Sequence, residues 1–402
     1  MQVSKRVQGM GEPALLKYYP LVDKVRQSGK KVYYLNIGQP DIKTPESFMR
    51  KVNAMKENVL AYAAPEGESN LRDEACKYYE RYGLYYEPED MLITSGGSEA
   101  LLFTLLAVCN PGDEIITPEP MYSIYKEMAS ATSVRLVGIM THTADGFALP
   151  EKEAIEALVT DRTRAILITN PGNPTGKVYT REEIECIRDV ALAHSLYVLT
   201  DEVYREFVYD GLKYVSPGHY PELARNCVIV DSISKRYSAC GARIGFILSK
   251  NRELIHAIRK LCQMRLAVSS VDQAGAAELF KLGMDFFDDI LAEYTHRREI
   301  VDESLKAMEG VVGKRPTGAF YYMVKLPVAD AEDFIQWMIT DFEYQGATVL
   351  LSPANDFYIH PGDGRDEVRL AYVLKEADLK AAMEILDQGL KAYRKAFPER
   401  CH

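Results

Sequence analysis

CVIVDSISKRYSACGARIGFILS, residues 227–249, decides the fold. Val228 to Val230 is a β-branched run of the kind that fills a strand buried on both faces, and polar residues follow at once. The run delivers Lys235 into a setting of small residues, with Ser232, Ser234, Ser238 and Gly241 leaving room around its amine. Arg243 follows in the same segment, where a planar guanidinium can grip a phosphate bidentately. A desolvated lysine beside cations gives up its proton more readily and becomes a nucleophile for a carbonyl. An arbitrary lysine is far more often a solvated surface residue; the position just past a buried strand, with Arg243 nearby, argues for chemistry.

Three more apolar runs end in polar clusters. Met91–Thr94 leads into Ser95-Gly96-Gly97-Ser98 and an apolar helix from Glu99 to Val108. A glycine-rich turn opening a helix offers free amides and the positive dipole end, which suits a phosphate at Gly97 and Ser98, though an ordinary strand-to-helix turn reads the same. Neither G-x-x-x-x-G-K-[ST] nor G-x-G-x-x-G occurs, so a phosphate on a non-nucleotide group gains ground. Arg164–Thr169 ends in NPGNPTG, a fixed turn with Asn173 as a ready donor. Tyr197–Thr200 ends in Asp201-Glu202-Val203-Tyr204. Asp201 puts a carboxylate at a strand's carboxyl end, where capping a helix is the ordinary reading. A further strand, Glu114–Thr117, leads to Tyr122, which is placed to stack on a flat ring or to pack in the core.

The connections between these runs, such as the amphipathic stretch 181–195, are long enough for crossovers. The expected architecture is therefore α/β: a large domain with a mostly parallel sheet flanked by helices, plus a smaller α/β domain. Ligands of such sheets bind outside the carboxyl ends of the strands, so the phosphate turn, Asn173, Asp201 and Lys235 should converge on one crevice.

Toward the N-terminus, Leu15, Leu16, Tyr19, Val22, Val25 and Arg26 keep rough helical spacing, and Val32–Ile37 reads as a strand before the turn NIGQPD, where Gly38 can bring its backbone close to a ligand. Tyr62 opens a loop before a helix whose expected cap is Ser69 or Asn70, with Glu74 in its first turn. Toward the C-terminus, PTGAFYYMVKL begins the smaller domain: a strand, a helix near 331–345, a strand at 348–351 and a last helix from about 376. Between them VRLAYV sets Arg369 in an apolar strand, where an arginine needs an anionic partner, either a structural acid or a substrate carboxylate.

The segment S-x-S-K-x-x-S-x-x-G-x-R-x-G around Lys235 resembles the cofactor-lysine signature of the class I pyridoxal-phosphate (PLP) aminotransferases, and the resemblance runs from about Gly38 to Tyr372. It implies PLP fold type I, with a large domain at 46–290 and a small domain built from 1–45 and 291–402. It also implies roles. Lys235 carries PLP as a Schiff base and later acts as base; Asp201 faces the pyridine nitrogen; Asn173 and Tyr204 meet the phenolic oxygen; Tyr122 stacks on the ring. Gly97, Ser98, Ser232 and Arg243 hold the phosphate, joined by Tyr62 from the other subunit of a homodimer. Gly38 and Arg369 take the substrate carboxylate. The expected reaction moves the amino group of an L-amino acid to a 2-oxo acid. A β-elimination lyase or decarboxylase on the same fold, or a non-catalytic amino-acid sensor, are the alternatives. Ser98 departs from the lysine of many aspartate-type relatives, and Arg265 has an uncertain register against their distal-carboxylate arginine.

Bulk properties agree. The 402 residues carry 48 Lys plus Arg against 58 Asp plus Glu, a net charge of −10, which disfavours nucleic acid or an anionic membrane as the main partner. No run of about 18 apolar residues occurs, and the N-terminal stretch lacks the apolar core of a signal peptide. Seven cysteines without a CxxC pair read as reduced, which favours the cytoplasm. No H-E-x-x-H or G-x-S-x-G is present, so a metal or serine hydrolase is disfavoured and no metal is expected.

Overall fold

The computed structural model describes residues 2–11 and 17–402. Leu15 and Leu16 lie outside the described residues; Tyr19, Val22 and Val25 fall on the helix Tyr19–Gln27, which buries Val22.

Among the described residues twelve strands follow in order: β1 (Lys31–Tyr34), β2 (Met91–Thr94), β3 (Glu114–Glu119), β4 (Arg135–Met140), β5 (Thr163–Thr169), β6 (Tyr197–Asp201), β7 (Cys227–Ser232), β8 (Gly245–Leu248), β9 (Tyr321–Lys325), β10 (Ala347–Leu350), β11 (Ser352–Pro353) and β12 (Glu367–Ala371). Seven form the central sheet in the order β2-β8-β7-β6-β5-β3-β4. Only β8 runs against its neighbours, so the sheet is mostly parallel, as expected. Strands β2, β3, β5, β7 and β8 are buried along nearly their whole length, and Ile, Val and Leu dominate them because both faces are covered.

Helices of two kinds cover those faces. Gly96–Val108 is apolar almost all round, as suits a helix with little exposed surface, and buries Ala100, Leu101, Phe103 and Leu105. Arg181–Ala193 is amphipathic, burying Ile184, Ile187, Val190 and Ala191. Its start is held by a capping box, in which Thr180 accepts from the amide of Glu183 and the Glu183 carboxylate accepts from the amide of Thr180, the reciprocal arrangement that satisfies two orphan donors.

The helix Ser69–Glu80 differs from expectation. Its N-cap is Glu68, with no side-chain cap bond; the Glu68 amide instead donates to Gln273 Oε1 at 2.8 Å. A tertiary contact replaces the local cap.

A separate core gathers Tyr18, Val22 and Val32 with residues of the long helix Asp285–Ala307, of β9, β10 and β12, and of the final helix Glu376–Ala396. β1 pairs in parallel with β10, and β11-β12-β9 form an antiparallel sheet. Early and late parts of the chain are thus hydrogen-bonded together, and Phe334, Met338, Met383 and Tyr393 pack there as core residues.

All seven cysteines are free thiols; Cys227 and Cys262 are buried and the rest are half-buried. Among the described residues no helix is long and apolar enough to cross a membrane.

Candidate active site

Because β7 and β6 are parallel while β8 is reversed, the carboxyl end of β7 and the amino end of β8 share one edge of the sheet. The 233–244 segment is therefore anchored at both ends, and it carries Lys235 and Arg243. Ser238 and Arg243 both adopt left-handed backbone (φ 50° and 53°), a conformation costing a non-glycine residue on the order of 1–3 kcal/mol and found mainly where function over-determines it.

A cleft with a cavity volume of about 270 Å3 lies at this edge, and its lining contains Gly38, Gly97, Ser98, Tyr122, Asn173, Asp201, Tyr204, Ser232, Lys235, Arg243 and Arg369. Every expected site residue is there except Tyr62, which is 84% exposed and outside the cleft lining of its own chain.

Lys235 Nζ donates to the Gly38 carbonyl at 2.9 Å and has no carboxylate partner within 4 Å among the described residues. Gly38 must be glycine: a Cβ there would lie 1.8 Å from the Tyr321 hydroxyl. Across the cleft, Asp201 Oδ2 accepts from Tyr125 Oη at 3.0 Å and Oδ1 from the Val203 amide at 3.4 Å. Burial pushes its carboxyl up to about 7 against these two bonds, with Asp231 and Glu202 adding repulsion. A cation at this carboxylate would favour the charged form.

The anion end is built from backbone. Gly96 has φ +78°, and a Cβ on it would meet Arg243 Nη2 at 2.6 Å, so the turn opening the helix Gly96–Val108 lies directly under that guanidinium. Amides in the first turn of a helix have no partner four residues back. Ser232 Oγ, buried beside them, accepts from the Ser234 amide at 2.9 Å and retains its own proton to donate. Arg243 is exposed, with one bond to the Cys240 carbonyl at 3.1 Å.

At the other end Arg369 is only 2% exposed. Its Nη1 donates to Asn173 Oδ1 at 2.9 Å and its Nη2 to the Asn36 carbonyl at 2.5 Å, while Nε has no partner. The rings of Tyr321 and Phe357 lie 4.6 and 5.0 Å from the guanidinium. No acid pairs with it among the described residues, so its buried charge has no structural carboxylate for a counter-ion there. Asn173 Nδ2 reaches Tyr204 Oη at 3.4 Å, and Tyr204 Oη pairs with Tyr321 Oη at 2.9 Å. Tyr122 packs edge-on to Tyr125, centroids 5.5 Å apart, leaving its own ring on the cleft.

Several participants escape a reading of the sequence. Tyr125 and Tyr321 touch Asp201 and Tyr204, but a tyrosine in an apolar segment looks like core. Tyr125 sits three residues after Tyr122, a helical neighbour spacing that is the signal available. Beneath the cleft is a buried charge cluster: Arg205 binds Glu202 at 2.7 Å and Asp231 at 2.9 Å, and Arg236 binds Asp231 and lies 3.3 Å from Glu206. Arg236 directly follows Lys235, so the cluster anchors the lysine's own backbone. Arg265 is not in the cleft lining: its Nε is 3.2 Å from Glu99 and its Nη2 donates to the Ile93 carbonyl at 3.1 Å.

Burial also pushes Glu206 up to about 8, Arg236 only partly offsetting it. For an acid whose folded pKa is raised, the folded state holds more protons than the unfolded one between the two pKa values, so stability falls as pH rises through that window. From an unfolded value near 4, the cofactor-free protein should lose stability from this source up to about pH 7 through Asp201 and about pH 8 through Glu206. Asp201→Asn and Glu206→Gln should each remove their share, read as a flatter dependence of melting temperature on pH than wild type shows between about pH 5 and pH 8.

The arrangement has clear counterparts. A family model described as aminotransferase class I and II matches residues 30–386. An aspartate aminotransferase of Rhizobium meliloti is 29% identical over 400 residues, covering 95% of each chain, and an aspartate/prephenate aminotransferase of Thermus thermophilus is 30% identical, covering 95% of this chain and 97% of that one. Among solved structures, a Thermus thermophilus aspartate aminotransferase with maleate superposes with a TM-score of 0.88 at 28% identity, and an alanine aminotransferase from Pyrococcus furiosus with 0.88 at 27%; each spans 97% of this chain and 100% of its own. With both the sequence match and the superposition running through nearly the entire chain, this protein belongs to the class I and II aminotransferases.

Proposed function

We propose that the cleft binds pyridoxal 5′-phosphate and moves the amino group of an L-amino acid to a 2-oxo acid. The observation that carries this reading is Lys235 Nζ, free of any acid among the described residues, in one cleft with Asp201, a buried carboxyl held by the Tyr125 hydroxyl and the Val203 amide. The residues fit the cofactor. An amine for its carbonyl, a carboxylate for its ring nitrogen, an aromatic face and a phosphate end of amides, hydroxyl and guanidinium line one cleft.

When bound, PLP supplies an electron sink for the electrons of a bond at the substrate's α-carbon. Lys235 would hold it by its carbonyl until a substrate amine takes that place, and its freed Nζ would then remove the proton from the substrate Cα. Asp201 would keep a proton on the ring nitrogen. Asn173 and Tyr204 would hydrogen-bond the phenolic oxygen, and Tyr122 would cover the ring. Gly97, Ser98, Ser232 and Arg243 would hold the phosphate together with Tyr62 of the partner subunit, the exposed position of Tyr62 supporting a homodimer. Arg369, with Gly38 alongside, would fix the α-carboxylate, which favours reactions that retain it. We read residues 46–290 as the large domain and 1–45 with 291–402 as the small one, supported by the β1–β10 pairing. A cytoplasmic location is supported by the seven free thiols.

An absorbance spectrum of the purified protein, before and after single L-amino acids without oxo acid, tests the reading. A visible cofactor band that some amino acids convert supports it. No band after incubation with PLP, and the same spectrum for Lys235→Ala, would overturn it. Arg369→Lys should keep the band yet lose on the order of 10-fold to 100-fold in kcat/KM, chiefly through KM, because an ammonium cannot reproduce a bidentate fork.

A further inference from the structure

The charge inventory of the cleft bears on the side chain of the amino donor, given the aminotransferase reading above. Among the described lining residues the cations are Lys235, Arg243 and Arg369 and the single acid is Asp201. All three cations are committed, Lys235 to chemistry, Arg243 to the phosphate and Arg369 to the α-carboxylate. Arg369 cannot serve two anions, because Asn173 Oδ1 and the Asn36 carbonyl fix the direction of its fork. A second substrate carboxylate would find no uncommitted cation among the described lining residues, which is unfavourable where the cleft removes it from water. Arg265, the other base with a claim on it, is engaged by Glu99 and the Ile93 carbonyl. The remaining walls include Ile37, Leu101, Tyr122, Met128 and Tyr321.

The segment that the partner would contribute points the same way. Residues 57–71, ENVLAYAAPEGESNL, contain no Lys or Arg but include Glu57, Glu66 and Glu68. Arg259, which touches this segment, is engaged by Glu66 at 2.9 Å, and Lys51 lines a surface hollow with Glu57, Glu68 and Tyr62. Val59 and Leu60 beside Tyr62 are 77% and 68% exposed, an apolar surface for an apolar side chain.

We propose that the preferred amino donor carries an uncharged, apolar or aromatic side chain and that aspartate and glutamate are poor donors. The test uses the PLP-loaded enzyme in single-turnover half-reactions with L-phenylalanine, L-tyrosine, L-leucine, L-methionine, L-aspartate and L-glutamate. Spectral titrations with two unreactive acids, maleate and 3-phenylpropionate, accompany it. The expected result is an apparent kcat/KM at least about tenfold higher for the best uncharged donor than for either dicarboxylate, and tighter binding of 3-phenylpropionate than of maleate. Aspartate or glutamate reacting as fast as the best uncharged donor, or maleate binding more tightly, overturns the inference. If a cofactor band forms but no amino acid of either class converts it, the aminotransferase reading itself fails and takes this inference with it.

Discussion

Lys235→Ala should slow the reaction by at least about 10^3-fold while leaving the fold intact. The expected loss is large because the proposal makes the amine both the attachment point and the base; positioned proton transfer alone is worth about 10^2 to 10^4. The stability cost is small because Nζ makes one hydrogen bond, to the Gly38 carbonyl, worth about 1 kcal/mol net. Lys235→Arg separates charge from chemistry. A guanidinium keeps the positive charge but cannot be deprotonated in a protein, so it should be as inactive as alanine. Turnover, visible absorbance and the urea midpoint are the three readouts. An arginine variant with roughly a tenth of wild-type turnover would show that charge alone suffices and would refute the role given to the amine.

The second large effect is on stability. Asp231 accepts from Arg205, Arg236, Tyr79 and the Ser232 amide. Burial alone would raise its pKa, but Arg236 and Arg205, with hydrogen bonds from Arg236 and Tyr79, hold it below the ordinary value. Asp231→Asn strips two buried guanidinium groups of their shared counter-charge, and removing one partner of a buried pair costs about 3–5 kcal/mol. That is a large part of the roughly 5–15 kcal/mol holding a typical domain. Glu206→Gln is the control, expected to leave stability at neutral pH unchanged or to raise it, because neither oxygen of Glu206 accepts a hydrogen bond and its carboxyl, pushed up to about 8 by burial, loses stability as pH rises toward that value. Equal urea midpoints for the two variants would mean that the cluster does not hold Asp231 as described. Since Arg236 adjoins Lys235, Asp231→Asn should also weaken PLP retention on dialysis, and Glu206→Gln should not.

What can be read from the chain alone follows from where its energetics are local. β7 is legible because a β-branched run buried on both faces has few other uses, and the polar clusters at Ser95, Asn170, Asp201 and Asp231 stand out against such runs. β4 escapes: its residues Arg135–Met140 alternate weakly and only Ile139 is buried, so an edge strand leaves little pattern. The reversal of β8 is also hidden, since the segment after Ser232 is as long as a crossover and only pairing across the sheet shows that it returns. The charge cluster is invisible for a different reason. Arg205 and Asp231 are 26 residues apart, and each in isolation has the composition of a surface residue. Lys235, Asp201 and Arg369 stand out in the sequence because the proposed chemistry restricts the residue type; Tyr125 and Tyr321, which bond Asp201 and Tyr204, share their type with the core.

Arg369 donates to the carbonyl of Asn36, 333 residues earlier, while the Lys235, Asp201 and phosphate-turn portions lie within the span between them. During synthesis, which adds residues in order, the central sheet and its lysine are complete long before Arg369 leaves the ribosome. Contacts this distant must wait for a long loop to close. The carboxylate end of the proposed site is therefore the last part of the cleft to be assembled.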